Sequence, residues 1–186
     1  MKKILMVIAA VSAMVVSAET KIAFVDMSIL LKMHPQYDSD GRLLKETDSE
    51  YQEKLDKRQD ELKKLAEDGK KAAEEAQNPM LGAKARQEAM KKVADLERKF
   101  IAAQQDLQRE AAKYRDEVEN LNARLLRTRM AEIREKTAEY AKGAGYDIVL
   151  DKSLTAYVDD KYDITDKILL IYGVDPATRP DREAAK

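Results

Sequence analysis

Apolar residues recur at alternating steps of three and four along a long, highly charged stretch between residues 43 and 142. This spacing places apolar side chains in a narrow stripe on a helix, which is typical of a coiled-coil seam. The first part of the seam comprises Leu44, Tyr51, Leu55, Leu62, Leu65, Gly69, Ala72 and Ala76. The second part comprises Ala89, Val93, Leu96, Phe100, Ala103, Leu107, Ala111, Tyr114, Val118, Leu121 and Leu125. The pattern therefore predicts two long helices.

A single break, Asn78-Pro79-Met80-Leu81-Gly82, separates the two helices. Pro79 cannot continue a helix, and Gly82 can adopt the backbone conformation that reverses the chain. We therefore predict an antiparallel coiled-coil hairpin over residues 43–125, with its tip at residues 78–82. Folding about position 80 pairs residues whose numbers sum to about 160, which places Gly69 roughly opposite Lys91.

Short elements flank this hairpin. Residues 21–26 and 146–151 are rich in β-branched and aromatic residues and predict two strands, and residues 155–158 predict a third. A short helix is expected after Asp26 or Ser28, and another after Thr165, because each of these residues can cap a helix. The chain is thus predicted to be α+β and mostly α, with a discontinuous body from residues 19–42 and 126–172. Residues 173–186, with two prolines, predict a disordered tail.

A body of three short strands and two short helices is too small to be stable alone. Its strand edges would also be exposed, which favours aggregation unless another chain covers them. We therefore expect the protein to be a homo-oligomer assembled through its body. The candidate oligomerisation residues are the apolar strand residues Ile22, Phe24, Ile148, Leu150 and Tyr157.

The first eighteen residues have the pattern of a signal peptide. Lys2 and Lys3 precede an apolar run from Ile4 to Val16, and Val16-Ser17-Ala18 forms a small-residue cleavage site. The apolar run is too short for a comfortable membrane span. We expect cleavage after Ala18 and export to the bacterial periplasm.

The composition narrows the possible functions. Charged residues make up 37% of the chain and aromatic residues 5%, and there is no cysteine. The absence of cysteine excludes disulfides, thiol catalysis and a lipid anchor on an amino-terminal cysteine. Without Lys2 and Lys3 the chain has 32 basic and 35 acidic residues, so it lacks the strong basic excess of nucleic-acid-binding proteins.

No pattern predicts catalysis, a cofactor or a metal site. His34 has no cysteine or second histidine near it, whereas zinc sites need three or four ligands. The acidic pairs Glu74-Glu75 and Asp159-Asp160 are typical of solvated surfaces, and no nucleophile accompanies them. Thr47, Ser49 and Ser153 lack a histidine partner, and there is no glycine-rich phosphate loop. The sequence therefore favours a protein that is not an enzyme.

Two apolar residues lie at the tip of the predicted hairpin. Met80 and Leu81 can staple the turn, or they can offer adaptable apolar contacts to a bound protein. Both interpretations remain open from the sequence.

The order of these elements resembles the Skp (OmpH-like) family of periplasmic chaperones. The resemblance rests on the leader, the strand Lys21-Ile22-Ala23-Phe24-Val25-Asp26-Met27, the hairpin, and the closing run Gly145-Tyr146-Asp147-Ile148-Val149-Leu150-Asp151 with Tyr157 and Asp163-Ile164-Thr165. It implies a homotrimer whose arms enclose a cavity and an ATP-independent holdase for unfolded outer-membrane proteins. A weak contact with the membrane surface or lipopolysaccharide also follows from the resemblance.

The alternative is a structural coiled-coil spacer or scaffold of the cell envelope. A spacer needs stiff, uniform packing. Here the seam positions near the tip are occupied by Gly69 and several alanines, whose small side chains bury little apolar area. Glycine inside a helix also costs about 1 kcal/mol relative to alanine. This pattern favours arms that bend, and therefore the chaperone.

Overall fold

The computed structural model describes residues 20–183, so the predicted signal peptide lies outside the described residues. The elements are β1 (Ile22–Val25), α1 (Met27–Lys32), α2 (Tyr37–Ala76), α3 (Ala83–Ala144), β2 (Ile148–Asp151), α4 (Thr165–Ile171) and α5 (Pro180–Glu183). Three single 3-10 turns lie at Lys152–Leu154, Asp160–Tyr162 and Pro176–Thr178. The chain is mostly helical with a small two-stranded parallel sheet, which agrees with the predicted α+β, mostly α class.

Except for Ala89, which lies beyond the end of α2, the side chains predicted to form the seam lie between α2 and α3. Every seam residue is half-buried or buried, and Ala72 is 1% exposed. Polar contacts between the helices fix their register. The Tyr51 hydroxyl donates to Glu117 (2.5 Å), Arg58 pairs with Glu110 (3.2 Å), and Lys92 pairs with Glu75 (3.4 Å).

These contacts correct the predicted register, because the paired residue numbers sum to about 168 rather than about 160. The cause is the connection between the helices. Gly82 is extended (φ −66°, ψ 162°) and caps α3 instead of reversing the chain. Residues 83–91 of α3 therefore extend about 13 Å beyond the end of α2. Gly69 consequently shares a groove with Leu96 and Phe100, not with Lys91.

The hydrophobic core lies where α3 enters the body. Fully buried members of this core come from β1, α1, α3 and α4: Ala23, Leu30, Ile133, Ile168 and Leu169. Asp26 caps α1 by accepting a hydrogen bond from the Ile29 amide (3.0 Å). The amide of Asp26 donates to the buried hydroxyl of Thr165 (2.8 Å), which ties the end of β1 to the start of α4. Asp163, not Thr165, accepts the hydrogen bond from the first amide of α4.

The predicted third strand at residues 155–158 is wrong. The side chains of Asp151 and Asp159 accept hydrogen bonds from the amides of Ser153 and Lys161, and each closes a 3-10 turn on either side of this segment. These local bonds compete with strand pairing. On the edge of β1 that does not pair with β2, an isolated parallel bridge joins Phe24 to Asp163.

Residues 173–183 are folded, although the sequence predicts a disordered tail. Arg179 is 4% exposed and its guanidinium binds Asp166 (2.7 Å) and Asp181 (2.7 Å). A buried arginine with two carboxylate partners holds the 3-10 turn and α5 against α4. Residues 184–186 lie outside the described residues.

Candidate functional site

Four of the five predicted oligomerisation residues lie together on one face of the sheet. The parallel register pairs Ile22 with Ile148 and Phe24 with Leu150. Alternation along each strand turns Ala23 and Val25 into the core and leaves the other four on the opposite face. Ile22, Ile148 and Leu150 are 37%, 43% and 38% exposed, and Phe24 is half-buried. One face of the sheet is therefore apolar and uncovered within residues 20–183.

The fifth residue, Tyr157, lies on the segment that follows β2 and is 83% exposed. Leu154, which the sequence analysis did not single out, is 78% exposed on the same segment. Nothing in its local pattern distinguishes Leu154 from a core residue, because its exposure depends on the 3-10 turn in which it lies. Leu154 extends the apolar surface next to β2.

A groove of about 490 Å³ lies between β2 and the end of α3. Its apolar lining includes Met27, Met130, Val149, Leu150 and Leu154, and its charged lining includes Arg134, Lys142, Asp147 and Asp151. This groove could not be found from the sequence, because its walls come from segments about 120 residues apart and depend on how α3 packs.

At the arm tip, the structure separates the two predicted contact residues. Met80 is 89% exposed, whereas Leu81 is half-buried. The Asn78 side chain accepts a hydrogen bond from the Met80 amide (3.0 Å), which fixes the turn and directs Met80 outwards. Met90 is 61% exposed on the first turns of α3. The same stretch, residues 83–92, has four basic residues and one acidic residue.

The base of the arm contains a partly buried polar cluster. Arg129 on α3 binds Asp40 on α2 (2.7 Å) and both carboxylate oxygens of Glu132 (2.9 and 2.8 Å). His34 is 7% exposed, and its Nε2 lies 3.4 Å from Glu132. The hydrogen bond from Arg129 lowers the pKa of Asp40, and burial lowers the pKa of His34.

This cluster has the geometry of a structural junction. Its histidine faces a carboxylate that Arg129 already binds, and the hydrogen bonds of its ring within residues 20–183 include none to a serine or threonine hydroxyl. Within residues 20–183, no group of three or more His, Cys, Asp or Glu side chains is placed to hold a metal ion. In the same range no helix is long and apolar enough to cross a membrane.

About two thirds of the way from the base of the arm to its tip, Gly69 opens a second apolar groove of about 240 Å³ between α2 and α3. A Cβ atom added at Gly69 would have no neighbour within 4 Å. The seam therefore lacks one side chain at this level, and its packing against Leu96 and Phe100 is incomplete.

A comparison with curated proteins finds no match for this chain. A family model described as outer membrane protein (OmpH-like) matches residues 21–171. This match covers β1 and β2, which form the apolar sheet face, both long helices, which form the arm, and α4. The chain belongs to the OmpH-like family.

Proposed function

We propose that this protein is an ATP-independent periplasmic holdase that binds unfolded outer-membrane proteins between helical arms and prevents their aggregation. The observation that carries the proposal is the pairing of a long, largely polar two-helix arm with a small body whose sheet has an uncovered apolar face. Membership of the OmpH-like family, whose members are chaperones of outer-membrane proteins, supports it.

Assembly is the first part of the proposal. An apolar sheet face in a small body favours association with an identical face, because exposed apolar area and strand edges promote contact between chains. We propose a homotrimer in which Ile22, Phe24, Ile148, Leu150 and Tyr157 meet their counterparts in the other copies. Such an assembly would hold the three arms at one end of a shared body.

The arms are the second part. The contacts of α2 and α3 support an antiparallel coiled-coil hairpin in which α2, with 40 residues, spans roughly 60 Å. Three such arms around one axis would enclose a cavity whose walls are mainly charged. An unfolded chain would be confined there by many weak contacts, so its release requires no nucleotide. Met80 and Met90 would supply adaptable apolar contacts at the rim.

We propose two further partners, an anionic membrane surface and lipopolysaccharide, both bound more weakly than an unfolded client protein. The four basic residues near the tip, Lys84, Arg86, Lys91 and Lys92, favour a weak contact with an anionic membrane surface or with lipopolysaccharide. Localisation in the periplasm rests on the signal peptide pattern and on the family.

The proposal is tested by diluting a urea-unfolded β-barrel protein into buffer with the mature protein and measuring light scattering without nucleotide. A holdase suppresses scattering at a fixed ratio of oligomer to client. A spacer or scaffold protein leaves scattering unchanged, which would contradict the proposal.

A matched variant with shortened arms isolates the role of the cavity. Removing residues 54–74 and 94–114 takes three heptads from each helix and keeps Tyr51 opposite Glu117 and Glu75 opposite Lys92 on the two sides of the deletion. This variant should keep its oligomeric state in sedimentation. It should lose suppression for large clients before small ones. Equal suppression for all clients would show that the arms do not enclose them.

A further inference from the structure

The two flanks of the arm, on either side of the seam, differ in chemistry. One flank of α3 carries a row of charged residues at helical spacing: Glu88, Lys92, Asp95, Lys99, Asp106 and Glu110. Lys92 and Glu110 of this row pair with Glu75 and Arg58 of α2, and Glu117 further along accepts a hydrogen bond from Tyr51. This charged flank is therefore the side on which polar contacts hold the two helices in register.

The other flank of α3 carries an uncharged strip. At about 100° per residue, six side chains fall within about 40° of one another around the helix: Ala83, Met90, Ala94, Ile101, Gln108 and Ala112. No charged residue falls in this sector between residues 83 and 112, although charged residues make up 37% of the chain. The strip is about 44 Å long. Its two large apolar side chains, Met90 and Ile101, are 61% and 54% exposed.

The groove at Gly69 opens on the same side of the arm as the uncharged strip. Glu97 lines this groove, and around α3 it lies between the seam and the strip. Ala66 and Ala73 form the α2 wall, and a Cβ atom at Gly69 would have no neighbour within 4 Å. The groove of about 240 Å³ therefore has room for one large side chain of another molecule, next to the turn of α3 that carries Ile101.

We infer that the uncharged strip and the Gly69 groove form the surface on which an unfolded polypeptide binds, within arm walls that are mainly charged. The inference rests on the proposed holdase function and assigns its binding surface. An apolar segment that docks on the strip removes no water from a charged group. The amide of Gln108 can donate and accept, so it suits the backbone of an extended chain of any sequence. Met90 adapts its shape to different side chains.

The composition of the strip argues against two other occupants. A helix from a second copy would need an apolar side chain at each seam position, whereas the large apolar residues here are Met90 and Ile101, about 16 Å apart, among alanine and glutamine. An anionic membrane surface would need basic residues, which the strip lacks. Scattered apolar contacts suit a flexible chain, because many of its segments can use them in turn.

The test compares two double variants of the mature oligomer. Met90→Glu with Ile101→Glu places two carboxylates on the strip. Ala102→Glu with Asn120→Glu is the matched control, because it adds as many carboxylates at exposed positions of the same helix, about 100° around from the strip. The dissociation constant for a urea-unfolded β-barrel protein, measured by fluorescence titration, should rise roughly tenfold in the strip variant and stay within about twofold in the control.

Salt provides an independent readout. Because the strip has no charge, the dissociation constant of the unsubstituted protein should change less than about twofold between about 0.05 and 0.5 M salt. A steep fall in affinity with salt would overturn the inference, since the charged flank would then be the binding surface. Equal affinities of the strip variant and the control would overturn it as well.

The other occupants are tested with the same variants. A changed oligomeric state of the strip variant in sedimentation would make the strip a contact between copies, and loss of binding to anionic phospholipid vesicles in place of the unfolded protein would make it a membrane contact. Either result would overturn the inference. Met90→Gln with Ile101→Gln replaces the strip variant if circular dichroism shows that the carboxylates unfold the arm. If the unsubstituted protein does not suppress light scattering, the proposed function fails and the inference with it, whereas suppression that is equal in both variants removes the inference alone.

Discussion

Tyr51 and Tyr114 stack face to face between the two long helices, with ring centroids 4.3 Å apart and planes 3° from parallel. The Tyr51 hydroxyl also donates to Glu117, which raises the pKa of Tyr51 and lowers that of Glu117. The ammonium group of Lys54 lies 5.2 Å from the Tyr51 ring and 6.0 Å from the Tyr114 ring. This aromatic pair fixes the register near the base of the arm.

Replacing Tyr114 with alanine should therefore destabilise the base of the arm. Losing a half-buried aromatic side chain and its stacking partner is expected to cost roughly 1–3 kcal/mol. Hydrogen exchange should accelerate around residues 48–55 and 111–118. Tyr51→Phe is the control, because it keeps the stack and removes the hydrogen bond to Glu117. If both variants exchange at the unsubstituted rate, the stack does not stabilise the arm.

Gly69→Ala should stiffen the middle of the arm. The added Cβ has no neighbour within 4 Å, so the substitution gains about 1 kcal/mol of helix propensity without a clash. Amide exchange over residues 66–73 should slow by roughly fivefold. Gly41→Ala is the matched control at the base of the same helix and should leave residues 66–73 unaffected. If capture of large and small clients is unchanged in the stiffened variant, bending at Gly69 is not part of the mechanism.

The corrected register also predicts where the arm is least protected. Residues 83–91 of α3 extend beyond α2 and have only the connection at residues 77–82 beside them instead of a second helix. Amide exchange should therefore be fastest at residues 77–91 and slower at residues 93–107, where α2 covers the seam. Uniform exchange from residue 77 to residue 107 would contradict this arrangement.

Ile148→Asp should prevent assembly. Ile148 is 43% exposed within one chain, so a carboxylate there can be hydrated in the monomer, but it would be buried in the proposed interface. Sedimentation should show a folded or partly folded monomer. Leu170→Asp, at a 57% exposed apolar residue of α4 outside the sheet face, is the control and should still assemble. A trimer formed by the Ile148→Asp variant would exclude the sheet face as the interface.

The ion pair at the base of the arm predicts a pH-dependent contribution to the stability of the folded chain. The pKa of Asp40 is lowered in the folded chain by its hydrogen bond with Arg129. Its contribution to stability is therefore fully present above the unfolded pKa of about 3.8 and is lost as the pH falls from there through the lower folded pKa. Asp40→Asn should abolish this part of the acid transition. Thermal unfolding between about pH 5 and pH 3 measures it, and an identical pH dependence in the variant would contradict the assignment.

The sequence by itself determined the two long helices, their break and the residues of their seam. These features depend on local helix propensity, proline and apolar spacing, which a short stretch of chain specifies. The positions of β1 and β2 and the alternation of Ile22, Phe24, Ile148 and Leu150 were also predictable, since burial in a strand repeats every second residue.

The tertiary structure decided the arm register, the fate of the third strand, the folded C-terminal segment and the burial of His34. Most of these features depend on contacts between residues that are distant in the sequence. The register of the arm changed because Gly82 is extended, and its backbone conformation cannot be read from the pattern. The strand predicted at residues 155–158 does not form, because an Asp-capped turn lies on either side of this segment. Arg179 is folded into the body because Asp166 and Asp181 meet it there, and His34 is buried because α3 and α4 close over the link between α1 and α2. In the last two cases, side chains that folding brings together overrode a local preference, whereas the Asp-capped turns are local hydrogen bonds that outweighed the strand pattern.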